Sequence, residues 1–229
     1  MNNSFKLNAV IIVAGGSGKR MKSQIPKQFL LLRDLPVLMH TIKKFYDFDN
    51  ETEIILVLPE NQFEYWENLC LDFSFKITHK LVKGGSERFY SVRNGLNSII
   101  RKNGIIAIHD GVRPLVDFET IKRGLESAFL NKAAIPVIPE LSSIRIIENE
   151  NSTHFDRNKI RIVQTPQIFD LQIIKSAYNV DFSSIFTDDA SVAEAFGQKI
   201  HLFDGNIENI KITTKFDLDF ANFLLSKRN

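Results

Sequence analysis

The chain has 229 residues, 44% of them hydrophobic, enough for one sizeable core and too few for a membrane protein. A net charge of +2, with the basic residues scattered apart from one early loop, argues against nucleic acid as the main partner. The lone cysteine, Cys70, excludes an internal disulfide and is read as packing in a helix; no apolar run approaches the ~20 residues of a membrane span or has a secretory cleavage site, so a cytoplasmic location is expected.

Strand-like and helix-like patterns alternate from the start. Residues 9–14 are a short apolar run, read as a buried strand, and glycines follow it at once. A helical pattern covers 37–45, and 53–58 predicts a second buried strand ending at Pro59. Residues 61–73 carry Phe63, Trp66, Leu69 and Phe73 at helical spacing. A third strand is expected at 78–82, a helix at 91–100, a fourth strand at 104–109, a helix at 118–129 and a fifth strand at 133–138. This rhythm is that of βαβ units, an α/β fold around a mostly parallel sheet. Ligands of such sheets sit beyond the carboxyl ends of the strands. Polar, glycine-bearing motifs follow three of these strands, at 15–20, 83–88 and 109–114, and are expected to converge on one edge.

The pattern changes after Pro139. Residues 143–147 and 159–163 read as β-rich, with the polar stretch 148–158 between them, so a projecting hairpin or arm is expected at about 140–164. Such an arm either pairs with another subunit or is an ordinary surface hairpin. Helical patterning returns at 171–178, 188–196 and 216–226, with short strands expected at 199–203 and 209–212. The whole chain, 1–229, is read as one domain.

The first candidate site is the turn Ala14-Gly15-Gly16-Ser17-Gly18-Lys19-Arg20-Met21, followed by Pro26-Lys27-Gln28. Glycines let backbone N–H groups approach a ligand, and Lys19, Arg20 and Lys27 add positive charge. It is not a P-loop, because Val13 stands where the first glycine is needed and Arg20 follows Lys19. It is not a dinucleotide fingerprint, whose third glycine would fall on Met21. Cations on a flexible turn suit a polyphosphate; solvated side chains on an ordinary turn are the plain alternative. Lys83-Gly84-Gly85-Ser86-Glu87-Arg88 is a second glycine turn entering a helix, with Ser86 a candidate cap and room for a flat base or a phosphate.

In His109-Asp110-Gly111-Val112-Arg113-Pro114 an acid directly follows a buried strand, three residues from an arginine. Asp110 offers a ligand to Mg²⁺ or substrate hydroxyls, and Arg113 a partner for a phosphate or sugar; an Asp110–Arg113 pair bracing the loop is the alternative. His109 reads as a satisfied packing residue, and Thr187-Asp188 as a helix start. Lys211, inside the apolar stretch 209–212, needs a counter-charge, for which a substrate phosphate is the candidate.

Together, Gly15-Gly16-Ser17-Gly18-Lys19-Arg20-Met21, Pro26-Lys27-Gln28, Gly84-Gly85-x-Glu87-Arg88-x-x-Ser91-Val92, His109-Asp110-x-x-Arg113-Pro114, Asp156-Arg157, Thr165-Pro166-Gln167, Thr187-Asp188-x-Ala190-Ser191 and Asn209-Ile210-Lys211-Ile212-Thr213 occur in this order. The set closely resembles the 2-C-methyl-D-erythritol 4-phosphate cytidylyltransferases of the non-mevalonate isoprenoid route, over essentially the whole chain. The resemblance implies a Rossmann-like nucleotidyltransferase fold with a mostly parallel twisted sheet and a projecting β-arm. It implies a homodimer joined through that arm. It further implies a Mg²⁺-dependent reaction in which CTP and methylerythritol 4-phosphate give 4-diphosphocytidyl-methylerythritol and pyrophosphate.

By the same resemblance, Arg20 and Lys27 stabilise charge at the CTP α-phosphate, while Lys211 of the same chain and the partner subunit's Arg157 position the methylerythritol phosphate. Asp110 and Arg113 lie at the second substrate, Asp110 near the metal. The turn from Ala14 through Gly15, Gly16, Ser17 and Gly18 to Lys19 holds the triphosphate. Gly84, Gly85, Ser86, Arg88 and Ser91 form the cytosine side. Two positions depart from the family pattern. Ser86 stands where Asp is common, and Ser142-Ser143-Ile144-Arg145 replaces the usual Asp-Thr-x-Lys, Ser143 keeping the hydroxyl for the substrate phosphate and Arg145 the charge.

The implied chemistry agrees with the residues. The attacking phosphate is already an anion, so the task is holding two anions together with cations, and no general base is required. Cytidylyl transfer to another polyol phosphate, such as ribitol 5-phosphate, shares nearly every motif and is the alternative. A non-catalytic nucleotide-binding module is a third reading; it predicts loss of Lys27 or Arg20, and both are present.

Overall fold

The computed structural model describes residues 5–15 and 25–227. β1 (Leu7–Val13) is buried on both sides, with Ala9 and Ile11 facing one apolar layer and Leu7, Val10 and Ile12 the other. A strand covered on both faces reads as an unbroken apolar run rather than as alternation. A 3-10 turn at Lys27–Phe29 leads into a short ribbon, β2 (Leu31–Leu32) and β3 (Leu35–Pro36), and then α1 (Val37–Phe48). The chain next alternates through β4 (Glu53–Leu58), α2 (Phe63–Asp72), β5 (Lys80–Lys83), α3 (Arg88–Ser98), β6 (Ile105–Asp110), α4 (Phe118–Asn131) and β7 (Ala133–Pro139).

The remaining elements are β8 (Ile144–Glu148), β9 (Asn151–Phe155), β10 (Arg161–Val163), β11 (Gln167–Asp170), α5 (Leu171–Ala177), α6 (Asp189–Ala195), β12 (His201–Asp204) and α7 (Lys215–Ser226). The main sheet runs β10-β7-β11-β6-β1-β4-β5, with β12 also on β7. β6, β1, β4 and β5 are mutually parallel, and β12 is parallel to β7. β10 and β11 run antiparallel to β7, end to end along the same side of it, and β11 is also antiparallel to β6. The sheet is thus largely parallel, as expected. Helices cover both faces, with Phe89, Val92, Leu96, Ile174 and Val192 in one core layer and Leu38, Phe45, Trp66, Ile121 and Leu125 in the other. Cys70 lies in α2, partly buried against this second layer, where burial pushes its thiol up to about 11.

Three expectations need correction. The arm is a tighter hairpin than the sequence suggested: β8 pairs with β9, Ile144 opposite Phe155 and Glu148 opposite Asn151. The polar stretch supplies the second strand, because both faces of this ribbon are largely exposed and need no apolar residues. Residues 161–163 instead return to the main sheet against β7. β11 carries only a four-residue, partly polar signal after Pro166, too short to stand out in the sequence. Finally, 209–212 is not a strand. Ile210 and Ile212 pack into a third small cluster with Leu32, Val37, Val112, Leu115 and α7, and only Ile212 N–H donates to a neighbouring chain segment, at Val112 O (2.9 Å).

Candidate active site

The carboxyl ends of β1, β4 and β6 bring Gly15, the second glycine turn and the segment after His109 to one edge; the rest of the first turn, 16–20, lies outside the described residues. β1 ends at Val13, and Ala14 N–H donates to Val57 O while Gly111 N–H donates to Val13 O. Gly84 N–H donates to Leu58 O, fastening the second glycine turn to the end of β4. Two close approaches explain glycines here. A Cβ on Gly85 would sit 2.3 Å from Tyr90 Cβ, and one on Gly111 would sit 2.8 Å from Ala14 Cβ. Side chains lock the loops further. Ser91, buried at the start of α3, accepts from Gly85 N–H (3.0 Å) and donates to Glu87 O (3.1 Å), so its hydroxyl shapes the turn. Thr41 of α1 donates to Gly111 O (2.9 Å). Gln28 donates to Ala14 O and to Gln62 Oε1, both at 2.9 Å, which fixes the turn that carries Lys27.

A cavity of about 410 Å³ opens on this edge. It is lined by Ala14, Gly15, Lys27, Gln28, the 85–88 turn, Ser91, Asp110, Val112 and Lys211. A second, of about 280 Å³, is lined by Arg113, Val163, Gln164, Thr165, Gln167, Thr187 and Asp188. Arg88, Asp110 and Lys211 border both, so they form the divide between the two.

Asp110 is the centre of this divide. Lys211 Nζ lies 2.9 Å from its carboxylate, Arg113 Nε 3.4 Å and Arg88 Nε 3.7 Å. Burial alone would raise the carboxyl's pKa, but Arg88, Lys211 and Arg113 outweigh it and hold the group well below the usual carboxylate range. With Asp189 also paired to Arg88, two anions meet three cations, and the positive surplus that remains is what an incoming phosphate needs. The counter-charge that Lys211 requires is therefore Asp110, within the chain. Ile210 and Ile212 turn into the third apolar cluster, and Lys211 between them faces the other way.

His109 packs as expected. It is fully buried, its ring edge-on to Phe45 at 5.0 Å. Nε2 lies 3.0 Å from Arg113 O, which can only accept, so Nε2 carries the proton and Nδ1 accepts from Thr165 Oγ1 (3.0 Å). Thr165 Oγ1 in turn accepts from Asp110 N–H (3.1 Å). Burial holds the imidazole neutral, its pKa pushed down to about 4. Asn209, fully buried, donates to Thr165 O (2.7 Å), and its own carbonyl accepts from Arg113 Nη1 (2.7 Å). Both ends of the Asp110–Arg113 loop are thus tied to Thr165 and Asn209.

Of the candidate residues, Ala14, Gly15, Lys27, Gly85, Ser86, Arg88, Ser91, Asp110 and Lys211 border the larger cavity, and Arg113 the smaller. Gly84 sits directly beneath, on Leu58. Gly16, Ser17, Gly18, Lys19 and Arg20 lie outside the described residues. Ser143 and Arg157 line neither cavity. Ser143 is exposed at the foot of the arm, and Arg157, in the turn after β9, donates to Leu141 O. Arg145 is spent across the arm, donating to Ser152 Oγ and Ser152 O, each at 2.8 Å. Asp188 caps α6, accepting from Ser191 N–H (2.9 Å), as the sequence suggested. What sequence reasoning missed is its neighbour Asp189, fully buried against Arg88. The signal was present: two acids open α6, and a helix start needs only one as its cap.

The family model for 2-C-methyl-D-erythritol 4-phosphate cytidylyltransferase matches residues 8–227. The chain belongs to this family. The member from Bacteroides thetaiotaomicron is 47% identical over 217 residues, covering 95% of this chain and 99% of that protein. The one from Azobacteroides pseudotrichonymphae is 48% identical over 223 residues, covering 96% and 99%. Among solved structures, the 4-diphosphocytidyl-2C-methyl-D-erythritol synthase of Anaerococcus prevotii superposes with a TM-score of 0.81 at 28% identity, covering 96% of each chain. The bifunctional IspDF of Campylobacter jejuni superposes with a TM-score of 0.79 at 25% identity, over 93% of this chain and 54% of that one. Among the described residues no helix is long and apolar enough to cross a membrane.

Proposed function

We propose that this chain joins CTP to 2-C-methyl-D-erythritol 4-phosphate, giving 4-diphosphocytidyl-2-C-methyl-D-erythritol and pyrophosphate, in the cytoplasm. The observation that carries this reading is the divide formed by Arg88, Asp110 and Lys211, with a cavity on either side. Two anionic substrates need two compartments that meet at a cationic wall. CTP takes the larger cavity, its triphosphate toward Lys27 and the glycine turn and its base toward Gly85, Ser86 and Ser91. The polyol phosphate takes the smaller one, at Arg113 and Lys211. A phosphate oxygen of the polyol phosphate attacks the α-phosphorus of CTP; the new P–O bond forms as the bond to pyrophosphate breaks. The nucleophile is ionised already, so Lys27 and Lys211 act by lowering repulsion and by countering charge at the reacting phosphorus.

The described residues hold no group of three His, Cys, Asp or Glu side chains fit to cage a metal. One buried carboxylate, Asp110, faces the cavities. That donor set suits Mg²⁺, which keeps most of its shell for water and phosphate oxygens and takes one or two protein carboxylates. Bound there through Asp110, Mg²⁺ supplies Lewis-acid neutralisation of the triphosphate.

The arm completes the enzyme as a homodimer contact. Arg157 is bonded only locally and faces neither cavity of its own chain, which fits delivery of Arg157 to the smaller cavity of the partner subunit. The test is pyrophosphate release by the purified protein with Mg²⁺ and CTP. Methylerythritol 4-phosphate is expected to support turnover and ribitol 5-phosphate not to. Turnover with ribitol 5-phosphate alone would overturn the substrate assignment, and none with either would overturn the reaction.

A further inference from the structure

Arg88 touches two carboxylates that have different surroundings. Its Nη1 and Nη2 donate to Asp189 at 2.7 and 2.6 Å, a two-pronged pair, while its Nε lies 3.7 Å from Asp110. Asp189 is fully buried and also accepts from Tyr178 OH at 2.6 Å. Tyr178 is held in turn by its ring, stacked on Phe89 with centroids 4.8 Å apart. The start of α6 is pinned to the sheet by Gln167, fully buried on β11, which accepts from Ala190 N–H (2.9 Å) and donates to Asp188 (2.8 Å). Asp189 therefore has a fixed position, and Arg88 is stretched from it to Asp110.

This geometry is unexpected for an arginine on the wall of a polyphosphate cavity. The paired Nη groups of a guanidinium form one of the edges that clasp a phosphate with two parallel hydrogen bonds. Here that edge is already taken by a buried anion, and only the Nε side is left toward the divide. We infer that Asp189, steadied by Tyr178, is a positioning residue that withholds the clasping edge of Arg88 from phosphate and keeps Arg88 as a strut on Asp110. Without it, Arg88 keeps only Asp110, shared with Lys211 and Arg113, and its paired Nη groups are open to the substrates. It would seize phosphate oxygens in an unproductive grip and leave Asp110 to Lys211 and Arg113 alone.

The inference rests on the proposed cytidylyl transfer for its kinetic arm but not for its binding arm, which uses inorganic pyrophosphate and no turnover. Native activity with CTP and methylerythritol 4-phosphate is the control that separates failure of the one from failure of the other. In Asp189→Asn, kcat is expected to fall about tenfold, the scale of a lost supporting contact behind a site residue. In the same variant pyrophosphate is expected to bind about tenfold more tightly by calorimetry, the worth of one charge-assisted contact. A variant that had merely lost structure would bind it no better. Arg88→Met combined with Asp189→Asn should return pyrophosphate affinity to the native level and be no slower than Arg88→Met alone, because the two residues act as one unit. Removing one member of a buried pair is the substitution most prone to unfold the chain. Tyr178→Phe, which deletes a single hydroxyl, is therefore made in parallel and is expected to shift both readouts in the same directions by about twofold. Native or weakened pyrophosphate affinity in both Asp189→Asn and Tyr178→Phe, or in Tyr178→Phe alone if Asp189→Asn does not fold, would overturn the inference. Additive losses in the double variant would also overturn it.

Discussion

The cavity edge and the arm carry charge in opposite ways. At the edge, the central charges are answered mainly by groups distant in sequence: Asp110 by Arg88 and Lys211 as well as by its neighbour Arg113, and Arg88 by Asp189, 101 residues on. On the arm, Arg145 bonds Ser152 seven residues away, and Arg157 bonds the backbone of Leu141 at the arm's own foot. The arm also leaves Ile147 68% exposed and Leu141 75% exposed. A region whose long-range partners lie within the chain holds its shape by itself. The arm, with local partners and bare apolar side chains, is the region to which the proposed dimer contact is assigned.

Substitutions in the two regions are expected to act differently. The largest effect is expected from Lys27→Ala, at the cavity edge. Its kcat should fall by roughly two orders of magnitude or more, the scale of losing a transition-state donor, and steady-state pyrophosphate release reads it. An unchanged kcat would remove Lys27 from the chemistry. On the arm, Ile147→Asp should yield a monomer by light scattering and cost at least about tenfold in kcat/KM for the polyol phosphate, while CTP affinity stays within about twofold. Loss of CTP binding in that variant would mean that the two regions are not separable.

A third effect is confined to stability. His109 ionises near 4 when folded and near 6.5 when unfolded. Between those values the unfolded chain takes up a proton that the folded chain refuses, so stability falls as the pH drops from about 6.5 to about 4. The contribution of His109 amounts to about 3 kcal/mol at most. His40 and His79 are also held below their ordinary values by burial and push in the same direction. The part belonging to His109 is therefore the difference between native protein and His109→Gln in urea denaturation at pH 7 and pH 5. Asp110 does not blur this window, since its stabilising charge is lost only as the pH falls through and below the carboxylate range.

The sequence declared the parts whose burial is two-sided. β1, β4 and β6 are apolar runs because helices cover both faces of them, and the motifs that follow were bound to share an edge once the strands were parallel. β9 stayed hidden because an exposed ribbon places no demand on side-chain type, and β11 because Gln167 and Asp170 interrupt a strand of only four residues. Lys211 was legible as a lysine needing a counter-charge, but alternation alone does not say which carboxylate supplies it. Asp110 and Lys211 meet because the small cluster of α7, β2 and Val112 seats Ile210 and Ile212 on either side of the lysine. Asp189 was illegible as a partner for the same reason: its pairing with Arg88 depends on where α6 docks, which no local pattern encodes.

The claim that most depends on the contrast is that the arm of one subunit finishes the edge of the other. Mixing Lys27→Ala with Arg157→Ala protein under exchange tests it, because each heterodimer then regains one intact pair of Lys27 and Arg157. With random exchange half the dimers are mixed and each has one good site of two, so about a quarter of native activity is expected from two nearly inactive parents. No recovery, with exchange confirmed by mass, would contradict it.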